Sequence, residues 1–218
     1  MTAPSETVLD LLDALVRIDS VNPGLDPAGA GEAQIAAFVA EWGRRAGLRV
    51  EELESTPGRP SVILRGGRDK GSRRLLLCGH LDTVGLADTS DAFTPRVDGD
   101  RLYARGAYDM KAGLAAALIA CGDSSLAGID GEVIVAAVAD EERASLGIQE
   151  VLTQLAPASI DAAVVTEPTE RQVGTAHRGF VWTEVTVTGV AAHGSRPHLG
   201  ADAILAARHL LVAFYALD

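Results

Sequence analysis

Three polar clusters follow directly on apolar runs in this sequence. LLLC (75–78) leads into Gly79, His80, Leu81 and Asp82. EVIVAAVA (132–139) leads into Asp140, Glu141 and Glu142, and AAVVT (162–166) leads into Glu167, Pro168 and Thr169. A fourth acid, Asp109, follows RLYAR and stands just before the apolar stretch that begins at Met110. Imidazole mixed with carboxylate suits Zn²⁺, Mn²⁺ or Co²⁺ better than Ca²⁺. Asp82, Asp109, Glu141, Glu142 and Glu167, gathered without a counter-charge, would push one another toward protonation, because like charges nearby raise a carboxyl pKa. Two divalent ions would nearly neutralise them, and ions about 3.5–4 Å apart activate water for hydrolysis.

Each of these residues also has an ordinary structural explanation. His80 could be a hydrogen-bonded core histidine, and Asp109 a helix N-cap. Glu141 and Glu142 could open a solvated helix favoured by its dipole, and Glu167 could be a loop acid before a proline. Those explanations do not account for their joint placement at four successive element ends.

The elements that must position them read as alternating helices and strands. Helical periodicity predicts helices over 5–19, capped by Ser5, and over 32–46, stopped at Gly47. Short strand-like runs follow at 48–53, 61–65, 75–78 and 101–105, then a helix over 110–121. The continuous apolar run 132–139 has the character of a strand buried on both faces. A helix over 145–155 and a second buried strand over 162–166 come next. This order predicts an α/β domain with a mostly parallel central sheet flanked by helices. Ligands in such sheets bind beyond the carboxyl ends of the strands, where the four polar clusters fall. The tail differs: 180–190 alternates like a half-exposed strand, and 201–217 has a helical apolar face. It is expected to open a second domain, dividing the chain into 1–176 and 177–218.

Composition narrows the function classes. The chain has 218 residues, 47% of them hydrophobic, enough for a core without disulfide staples. Acids outnumber bases 30 to 19, a net charge of −11, which argues against nucleic acid or an anionic membrane as partner. No apolar run approaches the ~20 residues of a membrane span, and the N-terminal stretch lacks the pattern of a signal peptide. Cys78 and Cys121 make no disulfide framework and are expected as buried thiols in a cytoplasmic protein.

The segments GHLDTV (79–84), LYARGAYDMKAG (102–113), ADEERASLG (139–147), TEPTE (166–170) and AAHGSRPHLGADAI (191–204) carry a resemblance. In order and type they resemble the acetylornithine deacetylase / succinyl-diaminopimelate desuccinylase / aminoacylase / carboxypeptidase G family of dinuclear metallohydrolases. The resemblance implies a zinc-exopeptidase-like fold and two divalent ions, Zn²⁺ first, with Co²⁺ or Mn²⁺ as alternatives. It implies His80 and Glu167 as ligands of one ion, Glu142 as a ligand of the other, and Asp109 as the bridge. Asp82 would fix the His80 tautomer, and Glu141 would be the general base. The peptide bond after Asp109 is implied to be cis.

His193 would belong to a lid and dimerisation domain, reaching the partner subunit's active site to hold an oxyanion, so a homodimer is expected. No role is implied for His177, His198 or His209. Ala104 and Ala144 stand where the family more often has glycine. The implied activity is hydrolysis of the amide of an N-acyl amino acid. Alternatives are a dipeptidase or carboxypeptidase activity, or a non-catalytic metal-binding remnant. The family pattern also supplies a last histidine ligand after the lid, and no histidine follows His209. The expectation is therefore either a portion of a longer enzyme or a reduced form of one.

Overall fold

The computed structural model describes residues 6–68, 73–86, 91–156, 159–170, 172–176, 179, 181 and 183–216. The first helix, α1 (Val8–Val16), is shorter than the periodicity suggests. Thr7 caps it, accepting from the Asp10 amide while the Asp10 carboxylate accepts from the Thr7 amide, a reciprocal capping box. The expected cap, Ser5, lies outside the described residues. Helix α2 (Ala33–Arg45) buries Ile35, Val39 and Trp42. Gly47 follows it at φ +75°, a backbone state that glycine adopts without steric cost.

Strands β1 (Arg49–Leu53), β2 (Ser61–Gly67) and β3 (Arg74–His80) come next. A small hairpin of β4 (Arg96–Asp98) and β5 (Arg101–Tyr103) follows, its first strand not anticipated from sequence. A wide turn over Ala107–Lys111 then precedes α3 (Ala112–Ala127). The expected helix start at Met110 therefore moves to Ala112. Asp109 and Met110 have non-helical dihedrals, and the bond joining them is cis, as the resemblance implied. Strand β6 (Glu132–Val138), helix α4 (Leu146–Leu155) and strand β7 (Ala162–Val165) complete the alternation.

The five-stranded sheet has the order β1-β2-β6-β3-β7. β3 lies between β6 and β7 and runs parallel to both, whereas β2 joins β6, and β1 joins β2, antiparallel. This is the expected α/β architecture, with a central, mostly parallel sheet flanked by helices. Every residue of β6 is buried, which explains the unbroken apolar run Val133–Val138, while its first residue, Glu132, is buried against Arg49 and Arg74. Its alternate side chains feed two cores. Val133, Val135 and Ala137 pack with α1, α2 and α3, while Ile134, Ala136 and Val138 pack with Val151 and Leu155 of α4. With β6, β3 and β7 side by side and parallel, the residues after their carboxyl ends emerge at one rim.

The chain divides into two compact units, Met1–Gln172 and Val173–Asp218. The second holds a short 3₁₀ turn (Pro197–Leu199) and α5 (Ala203–Tyr215), capped by the Asp202 side chain. The strand expected over 180–190 is not formed among the described residues of that segment. Positions 180 and 182 lie outside the described residues, and 183–189 carry no regular structure. Only an isolated antiparallel bridge joins Val190 to Ala201. Alternation alone does not make a strand, because the ladder needs a partner, and no neighbouring strand stands among the described residues of this unit.

Candidate metal centre

His80 is the last residue of β3 and almost fully buried. Its Nδ1 lies 2.8 Å from the backbone carbonyl of Asp82. A carbonyl only accepts, so Nδ1 carries the proton and Nε2 is the nitrogen offered to a ligand. Nε2 lies 3.1 Å from Asp109 Oδ1, 3.7 Å from Glu167 Oε1 and 3.8 Å from Glu141 Oε2. Ligand atoms of His80, Asp109 and Glu167 all fall within 4.8 Å of one another. The three come from different elements: the end of β3, the wide turn before α3, and the segment after β7.

An imidazole nitrogen facing two carboxylates, its other nitrogen tied to a carbonyl, is a donor set that fits a zinc-like ion. Glu142, expected as a fourth ligand, is not in this group. The expected second ion therefore has Asp109 within this group, while Glu142 stands close enough to His80, Asp109 and Asp82 for their charges to act on its carboxyl.

The Asp82 carboxylate is fully buried and organises the turn after β6. Its Oδ1 accepts from the Glu141 amide (3.0 Å), and its Oδ2 accepts from the Glu142 amide (3.2 Å) and from Asn22 Nδ2 (2.7 Å). Its Oδ1 is also 3.7 Å from His80 Nδ1, so both its carbonyl and its side chain face the imidazole.

The electrostatics are those of crowded acids around one base. Burial lowers the His80 pKa, but Asp82, Glu167, Glu141 and the hydrogen bond with Asp109 outweigh it, and the net shift is upward. Burial raises Glu141 and Glu167, with neighbouring carboxylates adding to the rise and His80 opposing it. Glu142 is pushed up to about 7 by the same causes, burial first.

Several participants were not evident from sequence. Asn22 and Arg59 sit in Pro- and Gly-containing loops, where periodicity is uninformative, yet both are substantially buried. Lys111 is fully buried, its Nζ donating to the Leu15 (3.1 Å) and Ile18 (3.0 Å) carbonyls at the end of α1. Burial lowers its pKa to about 8, against the pull of Asp19. Lys111 stands in the LYARGAYDMKAG segment, whereas Asn22 and Arg59 lie in none of the motif segments. His193 lies in the second unit, its Nδ1 2.9 Å from Ser195 Oγ. His177 lies outside the described residues.

The fold and this cluster define an α/β domain with an imidazole–carboxylate group at the carboxyl ends of parallel strands. The chain belongs to Peptidase family M20/M25/M40, whose sequence pattern matches residues 76–214. It is 31% identical over 213 residues to an acetylornithine deacetylase of Vibrio campbellii, covering 96% of this chain and 55% of that protein. A Vibrio parahaemolyticus acetylornithine deacetylase is 31% identical over 215 residues, covering 97% and 56%. The chain thus spans about half the length of the curated relatives it matches. Among solved structures, a tripeptidase from Staphylococcus aureus shares the fold at TM-score 0.65 and 23% identity, covering 96% of this chain and 56% of that one. Human carnosine dipeptidase 1 aligns at TM-score 0.63 and 20% identity, covering 74% and 38%.

Proposed function

We propose that this chain carries the metal-binding half of a cytoplasmic amidohydrolase that removes the acyl group from an N-acyl amino acid and works as a homodimer. The observation that carries the reading is the convergence of His80, Asp109 and Glu167 within 4.8 Å at the carboxyl ends of the parallel strands. The deacetylase relatives, matched over nearly the whole chain, favour an N-acyl substrate over a peptide.

In this reading His80, Asp109, Glu142 and Glu167 would hold two divalent ions, Zn²⁺ by preference. When bound, the ions supply a polarised amide carbonyl and a water acidic enough to lose a proton near neutral pH. The chain's own residues do the rest. Glu141, half-exposed beside His80 Nε2, accepts the water proton at its carboxylate and delivers it to the departing amine nitrogen. Asp82 keeps His80 in the tautomer whose Nε2 faces the ligands. His193, in the second unit, would serve the partner subunit's active site, donating to the oxyanion that forms there as the carbonyl is attacked. The chain divides functionally near residues 176–177 into this metal-binding part and the start of a lid.

Metal analysis and a substrate panel test the proposal. Uptake of two Zn²⁺ per chain, lost on Asp109→Ala, is expected. Hydrolysis of N-acetylornithine ahead of N-succinyl-diaminopimelate and of dipeptides is the expected order. A chain that takes up no divalent ion would sink the reading, and preference for a dipeptide would redirect it to peptidase chemistry.

A further inference from the structure

Asp82 is one end of a buried polar chain whose other members the chemistry above does not use. Glu32, Asp140, Asn22 and Asp82 are fully buried, and the Arg59 side chain is only 11% exposed. Arg59 forks onto Glu32, with Nε to Oε2 and Nη2 to Oε1 both at 2.6 Å, and its Nη2 also reaches Asp140 Oδ1 at 2.9 Å. Glu32 Oε1 accepts from the Asp140 amide at 3.1 Å. Asn22 Nδ2 then spends one N–H on Asp140 Oδ1 (3.0 Å) and the other on Asp82 Oδ2 (2.7 Å). Its own Oδ1 accepts from the Gly24 amide (2.9 Å), which fixes the amide orientation.

Two features make this chain more than packing. Asp140 has φ +62°, a strained state for a residue with a Cβ, and it directly precedes Glu141 and Glu142. Such a backbone persists only where its surroundings hold it, and here the holders are Glu32 at its amide and Arg59 and Asn22 at its carboxylate. Asp140 Oδ2 is buried with no partner among the described residues, so Oδ1 alone receives both donors.

We propose that Arg59 and Asn22 are positioning residues for the metal centre, acting through Asp140 and Asp82 on the Glu141–Glu142 turn and on His80. The proposal rests on the metal-centre reading given above. Arg59 fixes the strained turn from one end, and Asn22 couples that turn to the carboxylate that faces the His80 imidazole. Neither touches a ligand atom. Both determine where the ligand atoms stand.

The test is Zn²⁺ titration by calorimetry of the metal-stripped 218-residue chain, together with the melting temperature of each metal-free protein. Arg59→Met and Asn22→Ala are each expected to weaken Zn²⁺ binding by about 10- to 100-fold, the scale at which supporting hydrogen bonds act on metal sites. Arg59→Lys keeps the charge but loses the fork, so its affinity is expected between that of the parent and that of Arg59→Met. Leu64→Ala, a core truncation outside the network, should lower the melting temperature and leave the affinity unchanged. If Arg59→Met does not fold, Asn22→Ala, which removes no charge, carries the test.

Affinities within two-fold of the parent in folded variants would overturn the proposal and leave the metal centre standing. So would a loss of affinity in Leu64→Ala equal to theirs at the same loss of melting temperature. A parent that binds no Zn²⁺ overturns the metal-centre reading, and this proposal with it.

Discussion

Glu141 and Glu142 are adjacent, yet their amides are held by different oxygens of one carboxylate, Asp82. That arrangement fixes the backbone so that the two side chains can serve different tasks. Glu141 Oε2 lies 3.8 Å from His80 Nε2, within reach of a water beside the cluster. Glu141→Ala is expected to lower hydrolysis by about 10²–10⁴-fold, the worth of positioned acid–base catalysis, with metal content nearly unchanged. Glu142→Ala should lose metal and activity together. Metal analysis beside rates separates the roles, and the opposite pattern would exchange base and ligand.

The candidate site was legible in sequence where a polar residue stands beside an apolar run, as His80, Glu141 and Glu167 do after strands and Asp109 does before α3. Asn22, Arg59 and Lys111 were not, because loop residues become buried only through contacts distant in sequence. Cys121 offers a residue-scale check on the core. It is fully buried, its Sγ donating to the Val133 carbonyl at 3.4 Å, and burial pushes its pKa from 9.0 up to about 12. Between those values the folded chain keeps a proton that the unfolded chain has released. Stability is therefore whole below pH 9 and falls as pH rises toward 12. Denaturant midpoints from pH 7 to 10.5 should show this decline, and Cys121→Ala should make it shallower.

Among the elements, α3 shows how tertiary contact decides the effect of a local change. Alanine is favoured over glycine inside a helix by about 1 kcal/mol. A Cβ at Gly122 would meet only the Trp42 ring, at an ordinary 3.5 Å. Gly122→Ala should therefore raise stability by about 0.4–1 kcal/mol. A Cβ at Gly113, in the same helix, would stand 2.1 Å from the Thr166 carbonyl oxygen. That atom is backbone and cannot step aside without moving the segment that carries Glu167. Gly113→Ala should cost about 1–3 kcal/mol, as overpacking typically does, and weaken metal binding as well. Thermal melts of the two variants should shift in opposite directions, and a shared sign would contradict the packing described here.

The same competition explains what could be read of the elements themselves. Helices with apolar stripes and the nearly all-apolar β6 were recognisable because one pattern governs each. The start of α3 was misplaced because Asp109 and Met110 belong to a non-helical turn that no apolar pattern marks. The strand expected over 180–190 had its alternation but, among the described residues, no neighbour to complete a ladder.

For the whole molecule, the informative feature is the rim strand of the sheet. Among the described residues β7 pairs on one side only, with β3, and all four of its residues are exposed, Val164 by 47% and Val165 by 62%. An edge strand usually carries a charge, a proline or a bulge that discourages further pairing. Ala162–Val165 carries neither a charge nor a proline, and it continues a sheet whose interior is apolar. Its unpaired backbone groups and valine side chains together form a template for another strand, while the net charge of −11 opposes only long-range approach and is screened at physiological salt. The 218-residue chain is therefore expected to self-associate with rising concentration, more strongly at high salt than at low. Sedimentation velocity across a concentration series reads this directly. Val164→Lys places a charge on the edge and should shift the distribution toward monomer. Zn²⁺ uptake should be unchanged, since the substitution lies outside the cluster. A parent that stays monomeric at all concentrations, or a Val164→Lys variant that associates as the parent does, would show that β7 is not the associating edge.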